Sequence, residues 1–173
     1  LKKEGVLENT LIFLSSDNGP VLDDGYVDDA IEKLGKHRPT GNLRGGKYSL
    51  YEAGTRVPFI TYWNGHIEAG VSNKIISQVD WLASLSSMLN KPIKNLDSEN
   101  HMDFLLGKAE EGRTNIILEA TSRTAYREGN WVLIPPYPGP KMFLTKGIET
   151  GNGEEFQLYN LEKDASQQNN LAE

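Results

Sequence analysis

Residues 10–20 read Thr-Leu-Ile-Phe-Leu-Ser-Ser-Asp-Asn-Gly-Pro. A short continuous apolar run, Thr10 to Leu14, stops abruptly at a Ser-Ser-Asp-Asn-Gly-Pro turn. That pattern predicts a strand buried on both faces, as in an α/β sheet, with a sharp turn at its C-terminal end. Val57-Pro58-Phe59-Ile60-Thr61-Tyr62-Trp63 repeats it as a second buried strand. Pro58 stands near the start of this strand, where a missing N–H is tolerated, and Asn64-Gly65 turns the chain. Between the strands, residues 19–46 are rich in Gly, Pro, Asp and Asn and read as a long loop. One or two helical turns fit at Asp28 to Leu34. A loop of this length is uncommon unless it is functional or disordered. Lys47 to Glu52 reads as a short helix ended by Gly54.

Farther along, apolar residues at 79, 82, 83, 85 and 89 predict an amphipathic helix, with Asp80 supporting its N-terminus. His101 to Leu106 reads as another short helix. The pattern then changes to short strands at Thr114–Ala120, Ala125–Arg127, Asn130–Ile134 and Phe156–Leu161. Glu128-Gly129-Asn130 marks a hairpin turn, and Pro135, Pro136, Pro138 and Pro140 interrupt the sheet with a loop. The boundary is placed near 108–113, giving domains of 1–110 and 111–173. The chain opens without Met and with no signal-peptide pattern. It closes on what reads as the first turn of a continuing element, and so reads as a piece of a longer protein.

Composition narrows the function. With 18 Lys and Arg against 24 Asp and Glu, the net charge of −6 argues against a nucleic-acid binder. No apolar run approaches the roughly 18 residues of a membrane helix. Three Trp and seven Tyr are too many for a solvated disordered chain. The absence of Cys removes disulfides, thiolate metal sites and a cysteine nucleophile encoded in these residues.

Two motifs carry candidate chemistry. Asp17-Asn18-Gly19 follows the first strand, where ligands bind in open α/β sheets. A carboxylate beside an amide carbonyl offers two hard oxygens suited to Ca²⁺ or Mg²⁺. Two ligands are too few for a site, and Asp-Asn-Gly is also an ordinary turn sequence. Leu43-Arg44-Gly45-Gly46-Lys47-Tyr48-Ser49-Leu50-Tyr51-Glu52-Ala53-Gly54 then brings two cations among glycines that permit close backbone approach. Lys47 is a compact charge for an oxyanion, and Arg44 could clamp one in a fork. The spacing is wrong for a P-loop, and a solvated loop with two surface cations is the bland alternative.

The strings FLSSDNGP and HRPTGNLRGGKYSLYEAGTRVPFITYWNGHIEAG resemble the C-terminal half of the catalytic domain of arylsulfatase-type sulfatases, in the alkaline phosphatase-like superfamily. REGNWVLI and EEFQLYNLEKDASQQNNLA are similar to that family's C-terminal subdomain, so the ordered likeness runs through nearly the whole chain. Ala53 and the Asp164-Ala165 pair depart from the usual Gly and Asp-Pro. The resemblance implies an α/β fold. Residues 1–110 would supply the C-terminal part of a large, mainly parallel or mixed sheet with helices, and 111–173 a small antiparallel subdomain. It implies hydrolysis of sulfate esters by formylglycine with a divalent cation, usually Ca²⁺. Asp17 and Asn18 would be metal ligands, and Lys47 a catalytic and sulfate-contacting residue. Arg44 and His37, which lies in the His-x-Pro-Thr-Gly stretch, would be further substrate contacts. No Cys/Ser-x-Pro/Ala-x-Arg motif is present, so the nucleophile would lie upstream and these residues alone would be inactive. A sulfated small molecule or glycan is the expected substrate, with periplasmic or secreted placement. Self-association through a cut sheet edge is a further expectation.

Several residues have plainer readings. His37 is also an ordinary surface histidine, and His66 and His101 receive no role. Asp23, Asp24, Asp28 and Asp29 do not fit an EF-hand and read as a solvated acidic loop. Arg56 reads as a salt-bridge tie between loop and sheet. Trp63, Trp81 and Trp131 read as core, and Tyr48 and Tyr51 as possible pocket walls. The alternatives are a phospho- or phosphonate-hydrolase of the same superfamily, or a non-catalytic relative that binds sulfated glycans.

Overall fold

The computed structural model describes residues 1–91, 93 and 97–172. The chain divides into two units, one of Leu1–Ser15 with Phe59–Ile116 and one of Ser16–Pro58 with Ile117–Glu173.

In the first unit β1 (Ile12–Ser15) pairs antiparallel with β2 (Phe59–Tyr62), Ile12 opposite Tyr62 and Ser15 opposite Phe59. Alternation then places Phe13, Ser15, Phe59 and Thr61 on one face. The Phe13 and Phe59 rings lie 5.3 and 5.7 Å from Trp81 of α3 (Asp80–Met88). Thr61 donates to the Leu105 carbonyl of α4 (Met102–Leu105). The opposite face leaves Leu14, Ile60 and Tyr62 exposed. Burial on both faces, expected from the continuous apolar run, is therefore met on one face among the described residues. Leading helix α3 is Asp80, which is fully buried; Asn90 ends it in the left-handed conformation that Asn tolerates (φ +56°). Before β1, Leu7–Asn9 forms a single 3-10 turn.

The second unit is built on a four-stranded sheet in the order β3 (Asn115–Ala120), β4 (Arg123–Glu128), β5 (Trp131–Ile134) and β8 (Gln157–Asn160). β4 and β5, and β5 and β8, pair antiparallel. Positive φ at Thr121 and Ser122 makes the β3–β4 turn, and Gly129 makes the next. β6 (Met142–Phe143) and β7 (Ile148–Glu149) form a ribbon within the stretch expected to be loop. Leu50, Tyr51, Ala120, Ala125, Val132, Ile134, Tyr159 and Leu161 form the core. Its polar atoms are matched: the Tyr51 and Tyr159 hydroxyls both donate to Gln157 Oε1, and Gln157 Nε2 donates to the Gly151 carbonyl. Trp131 is 46% exposed rather than core.

The long segment of this unit carries α1 (Ala30–Lys33) and α2 (Glu52–Thr55). Helix was expected from Lys47 to Glu52. Tyr48 instead adopts φ +77°, which breaks a right-handed run, and the helical turn starts only at Glu52. Among the described residues no helix is long and apolar enough to cross a membrane.

Candidate functional site

The turn after β1 is held by its own short polar side chains. Ser16 Oγ donates to the Asn18 carbonyl, and Asn18 Nδ2 donates to the Gly19 carbonyl. This leaves the Asn18 side-chain oxygen without a hydrogen bond among the described residues. Asp17 is exposed, and its carboxylate likewise has no partner among them. These two uncommitted oxygen-bearing groups fit a share of the six to eight ligands that Ca²⁺ takes. They do not make a cage: among the described residues no three His, Cys, Asp or Glu converge on one point.

The Asp-Asn-Gly-Pro turn and the Gly-Gly-Lys segment meet backbone to backbone. Gly19 N donates to the Gly54 carbonyl at 2.8 Å, and Lys47 N to the Pro20 carbonyl at 3.0 Å. A Cβ on Gly19 would fall 1.7 Å from the Ala53 carbonyl oxygen, and one on Gly46 would fall 2.7 Å from that of Pro20. The glycines are therefore required by proximity. Beside this junction lies a cleft of about 410 Å³ whose walls include Asn18, Pro20, Thr40, Leu43, Arg56 and Val57.

Lys47 is part-buried and meets Asp24: Nζ lies 2.6 Å from Oδ2. The Tyr48 hydroxyl donates to Asp24 Oδ1 at 2.7 Å, and Lys146 Nζ stands 3.8 Å from the same oxygen. Hydrogen bonds from Lys47 and then Tyr48 hold the Asp24 carboxyl below its ordinary pKa, and the carboxylate in turn raises that of Lys47. Asp24 is thus not the solvated loop charge its acidic neighbourhood implied. The Tyr48 ring stacks on Phe143 at 5.6 Å, and its carbonyl accepts from Arg123.

Arg44 faces inward. It forks onto Glu149 through Nε and Nη2 at 2.9 and 2.7 Å, and donates to the Gln167 carbonyl through Nη1. Its guanidinium also lies 4.0 Å over the Tyr51 ring. We expect Arg44→Met to lower stability by about 1–2 kcal/mol, a charge-assisted bond discounted for the partly exposed Glu149. Faster hydrogen exchange at the Val132 and Tyr159 amides would report it.

Glu52 is 2% exposed. Both of its oxygens lie 3.3 Å from Arg127 Nη1, and Oε2 lies 3.4 Å from Arg56 Nη1. Its backbone N–H donates to Gln167 Oε1. His37 is exposed in its loop and is not among the residues lining the cleft. Of the residues picked from sequence, the structure joins Asn18 and Lys47 through adjoining backbone and leaves His37 apart. Sequence reading missed the Asp24, Lys146 and Arg127 partnerships. Nothing local marks them, because each partner lies 20 or more residues away.

Residues 1–91 match the family model described as Sulfatase. The chain is 42% identical over 169 residues to an N-acetylgalactosamine-6-O-sulfatase of Bacteroides thetaiotaomicron, covering 95% of this chain and 33% of that protein. It is 32% identical over 114 residues to human arylsulfatase A, covering 65% of this chain and 21% of that protein. A solved B. thetaiotaomicron chain connected with the metabolism of multiple glycosaminoglycans superposes with a TM-score of 0.93 at 40% identity. It covers 99% of this chain and 36% of that one. The chain thus spans about a third of the length of the first curated relative.

Proposed function

The chain belongs to the sulfatase family and has its alkaline phosphatase-like fold; on that premise we propose that it carries the cation-side and sulfate-contacting part of a sulfuric ester hydrolase. The observation that carries this is the backbone docking of the Asp-Asn-Gly-Pro turn onto the Gly-Gly-Lys segment. It puts two uncommitted oxygen-bearing side chains and one ammonium on adjoining segments.

In this reading Asp17 and Asn18 hold a Ca²⁺ or Mg²⁺. Lys47 donates to a sulfate oxygen and stabilises the negative charge that grows there as the S–O bond breaks. When bound, the cation supplies Lewis-acid charge, and a formylglycine encoded outside these residues supplies the nucleophile. Arg44, already engaged with Glu149, Gln167 and Tyr51, serves by fixing the Lys47 segment rather than by meeting substrate. His37, exposed, is left to meet the remainder of the substrate. We further propose residues 1–110 as the catalytic-domain part and 111–173 as the small subdomain. A sulfated glycan is the proposed substrate class, supported by the relative named for N-acetylgalactosamine 6-O-sulfate. Export to the periplasm or beyond the cell is the proposed placement.

Lys47→Ala in the full-length protein tests the reading. We expect kcat on a sulfated sugar to fall about 10²–10³-fold, the usual cost of one oxyanion donor, with an unchanged circular dichroism spectrum. A variant as fast as the parent would refute the role. The pure 173-residue chain should release nothing from a chromogenic aryl sulfate; metal-dependent release would contradict the upstream nucleophile.

A further inference from the structure

Three donors converge on one carboxylate in the second unit. Lys47 Nζ takes Asp24 Oδ2 at 2.6 Å, the Tyr48 hydroxyl takes Oδ1 at 2.7 Å, and Lys146 Nζ stands 3.8 Å from Oδ1. Resting on the reading of Lys47 as a sulfate contact, we infer that Asp24 occupies the substrate's sulfate site, and that Tyr48 and Lys146 bind the sulfate group beside Lys47.

The geometry of the donors carries the argument. Asp24 takes Lys47 on Oδ2 and Tyr48 on Oδ1, whereas Lys146 Nζ stands 3.8 Å from Oδ1, outside hydrogen-bond reach, so the carboxylate satisfies two of the three donors. A sulfate ester presents three terminal oxygens, one for each donor. Both groups carry a single negative charge, so exchanging one for the other keeps the local charge balance while offering a third oxygen to Lys146.

The donors are also held independently of Asp24. Tyr48 adopts φ +77°, a conformation that bulky residues avoid and that persists only where surroundings enforce it. The enforcing contacts are Arg123 Nη2 on the Tyr48 carbonyl at 2.9 Å and the stack of the Tyr48 ring on Phe143. Lys146 is anchored by its backbone N–H on the Phe143 carbonyl. Lys47 is anchored by its own N–H on that of Pro20. By contrast, Asp24 sits in the connection before α1, next to Gly25, which has φ +87° and nothing within 4 Å of a would-be Cβ. The donors are the fixed partners, and the carboxylate is the one placed to yield. Binding would then require the Asp24 segment to withdraw, and the affinity for any sulfate ester would be reduced by that competition.

Titration of the full-length protein with methyl sulfate, followed by the backbone amide shifts of Lys47 and Tyr48, tests this. Asp24→Asn and Asp24→Ala should each tighten binding at least ~10-fold, about 1.4 kcal/mol. Adding Tyr48→Phe or Lys146→Gln to Asp24→Asn should undo that gain. Circular dichroism confirms that each variant is folded. No tightening on removing the carboxylate would overturn the inference. So would a gain that Lys47→Gln alone abolishes while Tyr48→Phe and Lys146→Gln leave it intact. That last pattern would still leave the proposed role of Lys47 standing, so the two readings fail separately.

Discussion

Asp80→Ala should cost about 3–5 kcal/mol, the loss typical of breaking a buried ion pair by removing one partner. The Asp80 side chain is fully buried and both of its oxygens are used twice. Oδ1 accepts from Arg113 Nη2 at 2.7 Å and from Glu99 N at 2.9 Å. Oδ2 accepts from Arg113 Nε at 2.8 Å and from Ser77 N at 3.1 Å. Among the described residues, truncation leaves the Arg113 side chain, 10% exposed, with Glu99 and the Asp97 carbonyl. It also strips the start of α3 and the approach to α4 of their common acceptor. Asp80→Asn should cost less, since the amide oxygen still accepts but an amide nitrogen then faces donors. The urea midpoint followed by tryptophan fluorescence measures both, with Trp81 one residue away. Equal midpoints for Asp80→Ala and the parent would show that the fork contributes nothing.

Gly19→Ala should damage the proposed site without altering any group that does chemistry. Its Cβ would stand 1.7 Å from the Ala53 carbonyl oxygen, with Gly54 Cα at 3.0 Å, so backbone rather than a movable side chain blocks it. The turn must retreat, and the Gly19 N–H to Gly54 carbonyl bond goes with it. Overpacking of this kind costs about 1–3 kcal/mol. A displacement near 1 Å in a reacting constellation costs about 100-fold in rate. We therefore expect full-length protein carrying Gly19→Ala to be folded, destabilised and at least ~100-fold slower. Gly70→Ala is the control: this glycine is outside the left-handed region, and its Cβ would meet nothing within 4 Å. If both variants keep parental rates, close packing at Gly19 has no bearing on catalysis.

What the sequence announced was local. The apolar runs gave β1 and β2, the 3.6-residue periodicity gave α3, and Glu128-Gly129-Asn130 gave the β4–β5 turn. The family likeness, carried by FLSSDNGP and LRGGKYSLYEAG, agrees with the family match. β6 and β7 stayed hidden because strands of two residues are too short to show alternation. Tyr48's left-handed backbone could not be read, since its residue type argues against it. The charges behaved similarly. Arg44 looked like a free cation until Glu149 and Gln167 met it from over a hundred residues away. Asp24 looked like one acid among several until Lys47 and Tyr48 closed on it. Residue type shows that a side chain can bind an anion; only the fold shows whether an internal one already does.

The second unit is assembled from two stretches that a ribosome delivers well apart, Ser16–Pro58 before Ile117–Glu173. Arg44 emerges before Glu149, Tyr48 before Arg123, and Glu52 before both Arg127 and Gln167. At about 5–20 residues per second, the wait between Arg44 and Glu149 is on the order of 5–20 s. The stretch bearing Asp17, Asn18 and Lys47 is thus exposed to proteases and chaperones during its own synthesis. Polypeptides terminated before Gln167 would carry every proposed ligand of this region, yet lack the side chain that receives the Glu52 amide.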